Sequence, residues 1–303
     1  MSIRPLLLLL LCISLYTSTV CAAPGPACII TAQHHLSLAH QLKLRLAPVT
    51  PADIIRLDAF QSMELSALSH CRILVPIGRT ATKSVFAKKT TAPVVSLLLR
   101  YAALQALFNT YPEAKRWTTA LYLDQPFERQ LNLAHELFQK SLKLGTIVKN
   151  SKVFNLQKFQ KAAKARKDTL IISEVPSSDE ALIAANQLFT EIDVLLTFPD
   201  EEVFNRLSTP GILFAAYREK IPLIGYSKAW VQLGALAAVY TPPRLFIQDA
   251  VALIAQVKQH HALPKARFPT HFLIATNPIV AKNLNITLVS PHLLQARLEE
   301  LEK

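Results

Sequence analysis

Between residues 193 and 240 the chain carries three short apolar runs, within DVLLTFPD (193–200), IPLIGYS (221–227) and GALAAVY (234–240), separated by a helically patterned segment and by turn signals. Runs of four to six β-favouring residues that do not alternate with polar ones predict strands covered on both faces, and the stretch between the first two is long enough for a helical crossover. That is the pattern of a parallel sheet in an α/β layer structure. Parallel strands place the loops that follow them on one edge. Pro199-Asp200 and Ser227-Lys228 are therefore expected to face a common crevice, where open α/β sheets bind ligands.

The alternation runs through the rest of the chain. Strands are expected at 28–32, 54–58, 72–77 and 93–98, with helices at 35–46, 63–69 and 80–88 between them. The passage Tyr122-Leu123-Asp124-Gln125-Pro126 closes this series, and a helix at 127–142 opens a second one. Its strands are expected at 145–149, 170–174, 193–198 and 222–226, its helices at 153–166, 178–190 and 201–218. Pro242-Pro243 marks a further passage before an amphipathic helix at 245–259. A chain of 303 residues with 51% apolar content exceeds one ordinary core, so the predicted fold is α/β, two doubly wound parallel-sheet lobes in tandem.

Residues 1–22 read as a secretory leader: Arg4, an apolar stretch at 6–15, a polar patch, then Val20-Cys21-Ala22 as a small-residue cleavage site. An uncleaved anchor and lipid attachment at Cys21 are the alternatives, weakened respectively by the polar residues 16–19 and by bulky Val20. Beyond the leader two cysteines remain, Cys28 and Cys71, each at the entrance of an expected strand. If those strands are neighbours, as the first and third usually are in a doubly wound sheet, an oxidising compartment permits a disulfide. Two buried free thiols are the other reading. Neither reading makes them catalytic or metal-binding.

The net charge of +12 asks for a partner, yet the basic residues are dispersed. The densest cluster, Lys158, Lys161, Lys164, Arg166 and Lys167, recurs at helical spacing beside Phe154, Leu156 and Phe159, the pattern of a solvated helix face rather than a nucleic-acid stripe. No nucleic-acid partner is expected. The sequence has no phosphate-cradling glycine loop, G-x-S-x-G elbow, H-E-x-x-H or C-x-x-C, so nucleotide, acyl-transfer and zinc-hydrolase chemistries lack their parts. Glu201 and Glu202 are consecutive and diverge on a helix, and adjacent His34 and His35 lack partners at metal spacing. No catalytic residue, metal or cofactor is expected.

Ligand contacts are expected at strand ends. Gly78 follows the strand at 72–77, and Thr80 and Thr82 start a helix, so backbone N–H groups and a hydroxyl cap would receive an anionic group there. Gln33 ends the first strand, and Asn150, Asp200 and Ser227 fall just after others; Asp200 suits a ligand amine, while Tyr226 and Trp230 suit an aromatic ring. Each has a plainer reading: Thr80 and Asp200 as helix caps, Trp230 as lobe packing.

The segments ILVPIGRTAT (73–82), YLDQPFERQ (122–130), DVLLTFPD, IPLIGYS and GALAAVY, in that order and spacing, resemble the periplasmic substrate-binding proteins of ABC transporters with the type I two-lobed fold, in the branch related to tryptophan and tyrosine transport. The resemblance extends from about Cys28 to Leu288. It implies a first lobe of residues 23–124 plus 241–268, a second of 125–240 plus 269–303, and a hinge crossed near Asp124, Tyr240 and Phe268. It further implies a periplasmic monomer that closes on a small organic ligand, such as an aromatic amino acid or related anion, and serves an ABC permease and ATPase at the inner membrane. Arg79 departs from the pattern, standing between Gly78 and Thr80 where relatives have a small residue; the cation either fills the amino-acid carboxylate site or favours a more anionic ligand. A ligand-sensing module of the same fold and a secreted α/β enzyme are the alternative functions.

Overall fold

In the computed structural model, which describes residues 25–151, 156–259 and 263–302, the non-alternating apolar runs become strands buried on both faces. The expected leader, Cys21 and the first residues of the helix expected at 153–166, including Phe154, lie outside the described residues.

The first half of the chain builds one sheet. Its elements are β1 (Ala27–Thr31), α1 (Leu36–Leu46), β2 (Ala52–Arg56), α2 (Leu57–Ser62), β3 (Ile73–Ile77), α3 (Arg79–Ala87), β4 (Val94–Leu99), α4 (Tyr101–Thr110) and β5 (Thr118–Tyr122). The strand order is β2-β1-β3-β4-β5 and every pairing is parallel. Ile29, Val75 and Leu97 pack on one face against Leu42 of α1, and Ile30 and Leu74 pack on the other against Phe60 and Phe86. Because β1 and β3 are neighbours, Cys28 and Cys71 meet at the strand entrances, and they form a disulfide with Cα atoms 5.6 Å apart.

The second half repeats the plan. It comprises α5 (Phe127–Phe138), β6 (Lys143–Val148), α6 (Leu156–Ala165), β7 (Thr169–Glu174), α7 (Ser178–Leu188), β8 (Val194–Leu196), α8 (Ser208–Arg218), β9 (Leu223–Gly225), α9 (Lys228–Leu233) and β10 (Ala237–Tyr240). Then follow α10 (Pro243–Gln259), β11 (Leu273–Thr276), α11 (Pro278–Asn283) and α12 (Pro291–Leu301). The strand order is β11-β10-β9-β8-β6-β7, parallel except for β11, which runs antiparallel on the edge against β10. Helices α5, α6 and α12 cover one face, and α7, α8 and α9 the other. On α6, Leu156, Phe159 and Ala163 are buried while Lys158, Lys161 and Lys164 are exposed, which is the amphipathic arrangement their spacing predicts.

Some expected elements are displaced. The helix expected at 201–218 starts only at Ser208, because side chains take over the preceding backbone donors: Asp200 Oδ1 accepts from Glu202 N, and Asn205 Oδ1 accepts from Leu207 N and Ser208 N. The helix expected at 127–142 ends at Phe138, where Gln139 turns left-handed at φ 48°. The helix expected at 63–69 lies instead at Leu57–Ser62, with only a 3-10 turn at Leu65–Leu68, and α4, β5, α9, β11, α11 and α12 have no counterpart among the elements the sequence pattern predicts.

The chain passes between the two sheets three times, after β5, after β10 and before β11. Helix α10 packs on the first sheet with Phe246, Ile247 and Leu253 beside Leu42 and Leu97, and Arg267 adds a single bridge to Leu121 at the β5 edge. The three crossings are tied together by one polar network. Buried Arg129 donates from Nε and Nη2 to both carboxylate oxygens of Glu302 at 2.6 Å, and from Nη1 to Gln125 Oε1 at 2.6 Å and Pro269 O at 3.1 Å. Gln125 Nε2 donates to Thr241 Oγ1 at 2.8 Å, and Thr241 Oγ1 donates to His271 O at 2.7 Å. The guanidinium also lies 4.0 Å over the Phe272 ring. A buried cation so fully satisfied ties the three crossings to one another, and the lobes meet there.

Candidate functional site

The carboxyl ends of the strands converge beside these crossings. Near the end of β4 the ladder shifts register between Leu97 and Leu99, and Leu98 sits at φ 57°. The shift changes the face that Leu99 presents: Leu97 packs on the α1 side and Leu99 on the side of α3 and α4. The irregularity directly precedes Arg100, whose Nη1 donates to Pro199 O at 3.1 Å and pairs with Glu201 at 2.9 Å, joining the first sheet's edge to the second's. The Glu201 side chain is largely exposed, so the pair contributes little energy and orients the guanidinium rather than fixing it.

Asp124 follows β5 on the same edge. Its Oδ2 accepts from Tyr101 N at 2.6 Å, while Oδ1 is shut off from solvent without a hydrogen-bond partner. Burial pushes its carboxyl up to about 6, against the opposing pull of the Tyr101 N–H and the Arg100 charge. Beneath it Tyr101, Tyr122 and Phe268 form an aromatic cluster, Tyr122 meeting Phe268 at 5.0 Å and Tyr101 at 5.4 Å. Burial, with the neighbouring Tyr101 and Asp124, pushes the Tyr122 hydroxyl up to about 12.

Across from these residues stand Pro199 after β8, Tyr226 and Ser227 after β9, Tyr240 at the end of β10 and Thr241 after it. Together with Arg100, Leu123, Asp124 and Gln125 they line a crevice of about 310 Å³. Tyr226, Ser227 and Arg100 also line a second, larger cavity of about 780 Å³ that runs into the second sheet's side between the 201–207 turns, α8 and α9. The two thus adjoin, with one guanidinium and one β9 loop as their common wall.

The residues expected from sequence are distributed unequally over this edge. Ser227 lines both cavities and starts α9 without a side-chain cap bond. Trp230 is 4% exposed, edge-on to Phe204 at 5.4 Å and Tyr226 at 5.5 Å; it is a packed wall of the larger cavity rather than a free stacking platform. Gly225 lies directly beneath it, where an added Cβ would come within 2.3 Å of Trp230 Cβ. Asp200 is buried, with Oδ2 accepting from Lys149 N at 2.8 Å and Oδ1 from Glu202 N at 3.1 Å, so its carboxylate joins the β6 and β8 loops. The capping reading of Asp200 is not met, since α8 starts only at Ser208 with Leu207 before it; the carboxylate instead closes an Asx turn at Glu202.

Thr82 needs the larger correction. It is fully buried, its Oγ1 donating to Gly78 O at 3.0 Å and lying 2.9 Å from Ser96 Oγ, because α3 starts at Arg79 and turns Thr82 inward onto β4. Gly78 itself is the N-cap residue at φ 86°, with no side-chain cap bond from Thr80. An added Cβ there would stand 3.1 Å from His35 Nε2, so both backbone conformation and space call for glycine. Gln33, Arg79, Thr80 and Asn150 are exposed at the ends of β1, β3 and β6, on the crevice edge but farther from the crossings. Sequence reasoning misses Arg100, Asp124 and Gln125 as site residues; the only signal for them is their place just after an apolar run or in the proline-marked passage.

The sequence matches the family described as ABC transporter substrate binding protein over residues 59–296. No curated protein matches it. Among solved structures, it is similar to a conserved domain protein from Vibrio cholerae, at 18% identity and a TM-score of 0.59 over 90% of this chain and 98% of that one. An ABC domain in complex with L-Trp from Streptococcus pneumonia matches at 18% identity and 0.59, over 89% and 98%. The ligand-free, open structure of a substrate binding protein with adhesive properties from Clostridium difficile matches at 14% identity and 0.66, over 88% and 96%. At these identities the likeness establishes the two-lobed periplasmic-binding-protein fold.

Proposed function

Since the chain belongs to the ABC transporter substrate-binding protein family, whose members take a small-molecule ligand and work with a membrane transporter, we propose that it closes two lobes on an organic solute carrying an amino-acid-like head group. The observation that carries this reading is the crevice in which Arg100 and Asp124 face Tyr226, Ser227 and Tyr240 across the crossings. A guanidinium and a carboxylate on one edge complement a zwitterion: the ligand carboxylate at Arg100 and Ser227, its ammonium at Asp124. Closure is a hinge motion about residues near 124, 241 and 268, shifted by a solute that touches both sides at once. It would bring Gln33, Arg79 and Thr80 of the first lobe toward Asn150 of the second, with Arg79 supplying a second cation.

The division into a lobe of 23–124 plus 241–268 and another of 125–240 plus 269–303 belongs to the same proposal, as do a periplasmic site of action, a monomeric state and an ABC permease and ATPase as partners. Among the described residues no helix is long and apolar enough to cross a membrane. The match of the L-Trp-bound ABC domain supports an aromatic amino acid as the first solute to try. The test is a thermal-shift and calorimetric comparison of L-tryptophan, L-tyrosine and their deaminated acids. An amino acid is expected to raise the melting temperature, and Asp124→Asn to weaken it by about 10- to 100-fold while leaving the deaminated acid unchanged. Equal weakening of both, or no shift with any of these compounds, refutes the head-group assignment.

A further inference from the structure

The larger cavity, of about 780 Å³, is more than a single amino-acid side chain fills, and its walls are mostly apolar: Phe204, Leu213, Phe214, Trp230 and Leu233. Isolated exposed apolar residues need no explanation, but here Phe214 is 68% exposed, Tyr217 54% and Leu233 63%, all on one groove. The groove opens at Arg100, Tyr226 and Ser227, the residues it shares with the crevice, and its cations are Arg100 and Arg206, with Glu201 already paired to Arg100. The Arg100–Glu201 pair therefore stands at the crevice end, and the apolar side chains line the body. That polarity matches a molecule with a charged head and a long apolar tail.

Resting on the head-group reading above, we propose that the solute is an amphipathic amino acid or amino-acid conjugate whose apolar body extends beyond one aromatic ring and lies in the groove between α8 and α9. The head is held in the crevice and the tail runs past Tyr226 and Trp230 toward Phe214 and Leu233. Burial of the tail then dominates affinity, because each methylene removed from water adds a fixed increment while the head group contributes once.

The discriminating experiment is calorimetry on the full chain with L-2-amino acids of unbranched side chain, from 2-aminobutyrate to 2-aminododecanoate. Kd is expected to fall between about twofold and fourfold per added methylene, continuing past the sixth carbon, the upper figure applying where a methylene is fully buried. Phe214→Asp and Leu233→Asp replace exposed side chains, so folding is retained; each is expected to weaken 2-aminododecanoate by 10-fold or more and leave 2-aminobutyrate unchanged. Short members that bind with no gain past the sixth carbon, or long members indifferent to both substitutions, overturn the groove assignment and leave the head-group reading standing. A flat series in which the same substitutions abolish solute uptake assigns the groove to a protein partner instead. Failure of every member to bind overturns both readings together.

Discussion

Replacing Asp124 by asparagine tests whether the crevice keeps an ionised carboxylate at a cost to stability. The raised carboxyl, about 6 against a usual value of 3.8, reports that burial disfavours the charged form in the fold. A rise of that size corresponds to about 3 kcal/mol, an upper figure because the residue as a whole retains some exposure. The folded value lies above the unfolded one, so this group's contribution to stability is complete below about pH 4 and is lost as the pH climbs through about 6. Asparagine has the same shape, accepts from Tyr101 N and does not ionise. In urea melts from pH 4 to 8, the variant is expected to match the wild type at the acid end and to exceed it by about 2 to 3 kcal/mol at pH 7.5. Taking the difference at each pH cancels the remaining titratable groups. Trp117, beside β5, and Trp230, in α9, allow fluorescence to follow the two halves separately. A difference that does not change with pH would refute the reasoning, since it would place the charge in contact with water. A stabilising variant that binds its amino acid less well is the signature of a group retained for function.

Two further outcomes follow from the crossings and the first sheet. Arg129→Met is expected to cost about 3 kcal/mol in the same melts, because it strips Glu302, Gln125 and Pro269 O of their shared donor; Glu302→Gln should cost about 1 kcal/mol, as that carboxylate is one-third exposed. Equal costs for both would mean that the bonds to Gln125 and Pro269 are idle. Substituting Cys28 and Cys71 together by serine opens a loop with a sequence separation of 43 and is expected to lower stability by about 4 kcal/mol, with solute affinity unchanged because the bond lies at the strand entrances, away from the crevice. A loss of affinity comparable to the loss of stability would contradict that separation.

What the sequence determined by itself was the layer plan. Non-alternating runs such as Ile73–Ile77 can be buried on two faces only as inner parallel strands, and parallel strands put Gly78 at the carboxyl edge of the first sheet and Asp200 and Ser227 together at that of the second. The pairing of Cys28 with Cys71 followed once β1 and β3 were neighbours, which is a topological fact the sequence left open. Which polar groups on the edge remain available was decided only in three dimensions. Asp200 and Thr82 read locally as ligand contacts, but their oxygens are taken by Lys149 N, Glu202 N, Gly78 O and Ser96 Oγ, partners that are mostly brought together by the fold. Asp124 reads as part of a linker, yet one of its oxygens is left buried without a partner where two sheets meet. The apolar groove is equally invisible in sequence, because Phe214 and Leu233 are ordinary helix residues until α8 and α9 lie side by side. Hydrophobic periodicity is local and survives in one dimension; hydrogen-bond satisfaction and concavity depend on contacts between distant segments, so only the tertiary structure assigns them.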